Sequence, residues 1–228
     1  MTQTQNQTTS KLVPPHGSTA LKPLLLNGEA QAQALKLAST LPTITLSSRE
    51  RGDLIMFGIG GFTPLNGFMN QADWKGVVDD MRLQSGDNAG LFWPIPITLS
   101  APKETADSLN QGDKVALVAQ DGEIMGILTV EETYTIDKEY ECQKVFTTTD
   151  SEHPGVQQVL NQEAVNVAGS VEVLSEGEFP TLYPEIYKTP AETRKILDAK
   201  GWKTVAAFQT RNPMHRSHEY LAKIAIEI

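Results

Sequence analysis

The stretch from residue 204 to residue 226 constrains this chain more than any other. An apolar, β-type run, Thr204-Val205-Ala206-Ala207-Phe208, leads into a polar loop, Gln209-Thr210-Arg211-Asn212. A helical pattern, Tyr220-Leu221-Ala222-Lys223-Ile224-Ala225-Ile226, follows. Strand, tight polar loop and helix start make the phosphate-binding geometry of doubly wound α/β proteins. The first N–H groups of a helix lack intrahelical partners and point at whatever lies ahead of them. Asn212 is expected as the N-cap and Pro213 as the first helical residue, since proline lacks the N–H that would be orphaned there. From that start His215 and His218, three apart, share one face. Two imidazoles, the Arg211 guanidinium and the amides of Gln209 and Asn212 then converge on a site that favours anions.

Charge follows the same pattern. The 228-residue chain carries a net charge of −9, which argues against a general binder of nucleic acid or of anionic membranes. Between Lys203 and Lys223, however, stand four bases (Lys203, Arg211, Arg216, Lys223) and one acid, Glu219. A site for anionic substrates on an otherwise acidic protein accounts for that island. With Cys142 as its one cysteine, the chain has neither an intrachain disulfide nor a multi-cysteine zinc site. The histidine pair lacks the H-E-x-x-H order of a zinc helix, so no metal ligand is assigned. No window approaches the ~18 apolar residues of a membrane span. Residues 1–11, rich in Thr, Gln and Asn, read as a disordered tail rather than a signal peptide, and the cytoplasm is the expected location.

Ahead of the motif the chain alternates short strands, turns and a few helices. Helices are expected over Glu29 to Ser39, from a Ser48 cap towards Phe57, over Asp73 to Leu83 and over Val156 to Gln162. Strands are expected at Thr43 to Leu46, at Lys114 to Ala119 and Glu123 to Thr135 around the Asp121-Gly122 turn, and at Asn166 to Leu174. Leu91 to Leu99 reads as a proline-punctuated strand, an edge or a bulged one, and Tyr140 to Phe146 is ambiguous. The glycines between Gly58 and Met69 tempt a phosphate-loop reading. Thr63 takes the third glycine position of G-x-G-x-x-G and no Lys-Ser/Thr follows, so tight turns are the better reading. The pattern describes a compact β-rich α+β domain over residues 1–168. A second unit, 169–228, holds a helix led by Pro190 and stopped by Gly201, a strand from Lys203 to Phe208, and the motif helix. About 60 residues with one good strand cannot close a doubly wound sheet, so the chain is expected to be the N-terminal portion of a longer protein.

The run Gln209-Thr210-Arg211-Asn212-Pro213-x-His215-Arg216-x-His218-Glu219 closely resembles the signature of the ATP sulfurylase (sulfate adenylyltransferase) family. Three other segments resemble that family's N-terminal domain: the loop Gly60 to Met69, Leu91-Phe92-Trp93-Pro94-Ile95-Pro96-Ile97, and Thr148 to Val156. The resemblance implies α+β followed by α/β: a PUA-like barrel domain, then the beginning of a Rossmann-like nucleotidyltransferase domain. The family's second nucleotide motif, Gly-Arg-Asp-His, does not occur in these residues.

The implied reaction is Mg-ATP plus sulfate giving adenylyl sulfate and pyrophosphate, in either direction, with no tightly bound cofactor. By that resemblance Thr210, Arg211 and Asn212 match catalytic positions, and Gln209 and Arg211 match sulfate-binding positions. Gln209, Thr210, Arg211, Asn212, His215 and His218 match ATP contacts. Expected partners are sulfate and ATP, neither nucleic acid nor membrane, and further copies of the same chain in a homo-oligomer. Two other readings stand beside this one. The first is a PUA-like module that binds RNA or another ligand without catalysis, which the acidic first domain disfavours. The second is a nucleotidyltransferase with a different acceptor.

Overall fold

The computed structural model describes residues 12–202 and 204–227; the tail expected over residues 1–11 lies outside them. The described residues fall into two compact units, one spanning Pro14–Ala191 and the other containing residues 12–13 and 192–227.

The larger unit is built on a mixed six-stranded sheet. Its centre is the hairpin β4 (Lys114–Val118) and β5 (Ile124–Tyr134), turned at Gly122 with φ 93° where the Asp-Gly pair was expected to turn it. The long strand β6 (Val165–Val173) runs antiparallel to β5, with a bulge between Val130 and Glu132. On the far side of β4 lies β1 (Thr43–Thr45), parallel to it. Two short strands, β2 (Gly67–Phe68) and β3 (Ser100–Ala101), pair antiparallel with β6. Val115, Ala116 and Leu117 are successive and all buried, so both faces of β4 are covered, as in a strand inside a core. Leu54 and Phe57 join Leu117, Met125, Leu128 and Val173 in the main cluster. Each such side chain contributes roughly 1.5–3 kcal/mol by leaving water.

Helices close over this sheet. The first is α1 (Gly28–Ala38). The second, α2 (Ser48–Gly58), is capped by Ser47, one residue before the expected cap. Ser47 Oγ accepts from the Glu50 N–H at 3.3 Å, while Glu50 Oε2 accepts from the Ser47 N–H at 2.9 Å. Glu50 stands three residues after Ser47, not after Ser48, and the reciprocal bonds need that spacing. Next come α3 (Gln71–Asp80), which buries Trp74, Val77 and Val78, and the short α4 (Lys103–Asp107). The ambiguous stretch resolves as α5 (Lys138–Phe146), capped by Asp137, followed by α6 (Pro154–Asn161) and the single turn α7 (Phe179–Leu182).

Two expectations in this unit fail for identifiable reasons. Leu91 to Leu99 forms no strand beyond one bridge from Phe92 to Arg82; Pro94 and Pro96 have no N–H to give a ladder, and pairing resumes only at Ser100. The domain division expected between residues 168 and 169 cuts through β6, whose Ala168, Gly169 and Ser170 pair with Glu132, Val130 and Thr129 of β5. Nine residues of one ladder stand or fall together, so the compact unit continues to Ala191. Gly67 and Gly169 meet at a close crossing. A Cβ on Gly67 would sit 2.0 Å from the Gly169 carbonyl oxygen, and one on Gly169 would sit 1.9 Å from that of Thr129.

The smaller unit takes up α8 (Pro190–Lys200), ended at Gly201 with φ 64°, and contains α9 (Arg216–Glu227). The strand expected from Lys203 to Phe208 is absent over residues 204–208, and Lys203 lies outside the described residues. A lone β-type run gains nothing from extension without a neighbour for its N–H and C=O groups, and the described residues of this unit contain no other strand.

Candidate functional site

The motif residues lie in the smaller unit, between residue 208 and the first turn of α9. Thr210 forms a local turn: its Oγ1 accepts from the Asn212 N–H at 3.1 Å and lies 3.2 Å from the Asn212 carbonyl oxygen. Such hydroxyl-to-backbone turns compete with helix formation. They hold Asn212 in the loop, so it is not the N-cap, and Pro213 is not the first helical residue. The helix begins at Arg216, with His215 in the capping position.

The two histidines meet there. The His218 N–H donates to the His215 carbonyl at 2.9 Å, as does the Glu219 N–H at 3.1 Å. In return the His215 N–H donates to His218 Nδ1 at 3.1 Å. This is the return half of a capping box, with an imidazole in the place of the usual carboxylate or amide. Phe208 lies against the His218 ring, 5.5 Å between centroids and tilted by 43°. Ser217 Oγ approaches His215 Nδ1 at 3.5 Å.

Of the six residues singled out from the sequence, two pairs are therefore in contact: His215 with His218, and Thr210 with Asn212. Gln209 and Arg211 are exposed, and Arg211 makes no ion pair with any described residue. Glu219 pairs with Lys223 at 2.7 Å, one helical turn on. The expected convergence of two imidazoles, a guanidinium and two amides thus reduces to a contiguous, donor-rich loop without acidic neighbours along the chain before Glu219. A guanidinium and neutral N–H donors suit an oxyanion.

The remaining histidines belong to the larger unit and support its structure. His153 Nδ1 accepts from the Gly155 and Val156 N–H groups at the start of α6, with Phe146 5.2 Å from its ring. His16 Nε2 lies 2.7 Å from the Phe92 carbonyl oxygen.

A buried charge cluster in the same unit escaped the sequence reading. Arg49 Nη1 donates to Asp53 Oδ2 at 2.9 Å, and its Nη2 to the Thr98 carbonyl at 3.0 Å. Glu50 takes Ser100 N–H at 2.8 Å. Burial pushes the Asp53 carboxyl up to about 6, against the opposing pull of Arg49, with Glu50 adding a smaller rise. Burial likewise raises Glu141, whose Oε2 accepts from Trp74 Nε1 at 2.6 Å. The S-x-x-E spacing of Ser47 and Glu50 was the available signal for part of this cluster.

Comparison with known proteins bears on both parts of the chain. The family model described as PUA-like domain matches residues 13–176, and the model described as ATP-sulfurylase matches residues 184–228. A sulfate adenylyltransferase of Psychrobacter cryohalolentis is 90% identical over 225 residues, covering 99% of this chain and 54% of that protein. Another from Chlorobium chlorochromatii is 62% identical over 219 residues, covering 95% and 53%. A solved structure titled hexameric APS kinase from Thiobacillus denitrificans superposes with a TM-score of 0.72 at 28% identity, over 95% of this chain and 38% of that one. The first unit is thus a PUA-like domain. The chain as a whole is similar to sulfate adenylyltransferases along nearly all of its own length, and it spans about half the length of the curated relatives it matches.

Proposed function

We propose that this chain supplies the sulfate- and phosphate-binding loop of a sulfate adenylyltransferase, acting within a polypeptide as long as those relatives. The observation that carries the reading is the string Gln209 to Glu219, which occurs in a chain 90% identical to a relative of that name. Mg-ATP and sulfate are the substrates. A sulfate oxygen forms a bond to the α-phosphorus, the bridging P–O bond to the β-phosphate breaks, and pyrophosphate leaves with that electron pair. Sulfate is already ionised, so no general base is required. The protein's work is to bring two anions together and to neutralise the charge that builds.

Arg211 is assigned to fork two hydrogen bonds onto sulfate or the α-phosphate, free as it is of any described ion-pair partner. Gln209 joins it at sulfate. Thr210 and Asn212, held together by their turn, contact the nucleotide beside it. His215 and His218 serve the β- and γ-phosphates of the leaving group. The unpaired run 204–208 becomes a strand of a doubly wound nucleotidyltransferase sheet once neighbours flank it, which brings the loop to a strand's C-terminal end. A homo-oligomer in the cytoplasm is the assigned setting; no helix among the described residues is long and apolar enough to cross a membrane. The test is sulfate-dependent pyrophosphate release by the complete protein. Arg211→Ala is expected to abolish it, and near-normal release by that variant would overturn the assignment.

A further inference from the structure

We infer that the two motif histidines are not equivalent ligands: His218 spends Nδ1 on holding the helix start and presents Nε2–H as its single donor, with Phe208 as the residue that positions the ring. The phosphate as recipient of that donor rests on the adenylyl-transfer reading above; the division between the nitrogens does not.

A backbone N–H can only donate. Because the His215 N–H is 3.1 Å from His218 Nδ1, that nitrogen must offer a lone pair. In a neutral imidazole the proton then sits on Nε2. The bond is one half of a reciprocal pair, since the His218 N–H donates to the His215 carbonyl at 2.9 Å. Together the two bonds fix the ring against the first turn, and a flipped ring would place a C–H where the His215 N–H needs an acceptor. Phe208, 5.5 Å away and tilted by 43°, covers part of the ring. His218 is accordingly half-buried while its neighbours are exposed.

The same device occurs in the larger unit. His153 Nδ1 accepts backbone N–H groups at the start of α6, and Phe146 lies 5.2 Å from it at 39°. A phenyl ring holding a capping imidazole is thus a recurrent solution in this chain. His215 differs: among the described residues its Nδ1 meets only the Ser217 hydroxyl, which can donate or accept, so either tautomer fits. His215 can change its hydrogen-bonding role at the site; His218 cannot without releasing the helix start. A fixed neutral donor suits a leaving group that already carries its own metal ion.

The first measurement is a two-bond nitrogen–carbon-bound-proton correlation spectrum of the complete protein labelled with ¹⁵N-histidine. His218 is expected to show the Nε2–H pattern and His153 the same one, whatever the activity. An Nδ1–H pattern or an averaged mixture at His218 overturns the inference. Phe208→Ala is expected to turn the His218 pattern into a mixture, and an unchanged pattern removes the positioning role.

The second measurement separates the two nitrogens by replacement. His218→Asn keeps an acceptor near the Nδ1 position and loses the distal donor. Its helix start should remain protected from exchange while kcat for adenylyl sulfate formation falls about 10²-fold, the scale of one lost transition-state donor. His218→Gln restores a donor near Nε2 without the cap, and should recover part of kcat with faster exchange at His215. Wild-type kcat in the Asn variant overturns the donor assignment. Loss of the function reading itself would show differently, as normal release by Arg211→Ala with the His218 spectrum unchanged.

Discussion

Asp53 offers the sharpest quantitative test of the larger unit, because two large opposing effects meet on one carboxylate. Its side chain is 15% exposed and bonded to Arg49 at 2.9 Å, yet burial outweighs the guanidinium and raises the group from 3.8 to about 6. A rise of that size corresponds to roughly 3 kcal/mol between the protonated and ionised forms. The folded-state value lies above the unfolded one, so Asp53's contribution to stability is fully present below about pH 3.8 and is lost as the pH climbs through about 6. Asp53→Asn removes the titration while leaving an amide oxygen for Arg49. The stability of the variant minus that of the parent should therefore increase between pH 4 and pH 8, by up to about 3 kcal/mol. Urea denaturation at each pH, followed by fluorescence of the buried Trp74 and Trp93, measures it. A difference that stays flat would mean that the ion pair balances burial, one that falls with pH that it outweighs burial, and either would refute the reasoning.

Other substitutions probe particular contacts. Gly169→Ala places a methyl group 1.9 Å from the Thr129 carbonyl oxygen, which β5 cannot yield without losing its ladder; a loss of several kcal/mol, comparable with other severe overpacking, is expected in thermal melts. His153→Ala removes the acceptor for two N–H groups at the start of α6 and should cost about 1 kcal/mol, with His153→Asn recovering most of it; equal loss in both variants would deny the cap.

What could be read from the sequence was what is decided locally. The hairpin at Asp121-Gly122, the Pro190 start and Gly201 stop of α8, and the apolar run of β6 each depend on residues a few positions apart, and each formed. Leu91 to Leu99 failed as a strand because its side chains fit one and its two prolines do not. The domain boundary failed because Gly169 looks like punctuation in a sequence, whereas in space it is the one residue small enough to pass under Thr129. Beyond the Ser47-x-x-Glu50 spacing, the buried cluster of Arg49, Glu50 and Asp53 could not be read for a similar reason: Ser100, which bonds Glu50, arrives from fifty residues away. Residues 204–208 show the converse. Their sequence is that of a strand, but a strand is a property of two segments.

The two capping histidines show why the motif could be recognised before its geometry was known. In hydrogen bonding His153 and His218 are alike: Nδ1 accepts from backbone N–H groups at a helix start, and a phenyl ring lies beside the imidazole. Exposure would choose the wrong one, since His153 is exposed and His218 half-buried. Spacing alone is no better, because an imidazole three residues after another is compatible with mere capping. What differs is the company each keeps. His153 is followed by Pro154 and Gly155 and packs its helix on Val156 inside a finished core. His218 follows a loop whose Arg211 is left without a described counter-ion. An exposed guanidinium in a donor-rich turn contributes little to a fold. An anion that took both that guanidinium and the distal N–H of His218 would complete the set, and that is the physical content of the resemblance.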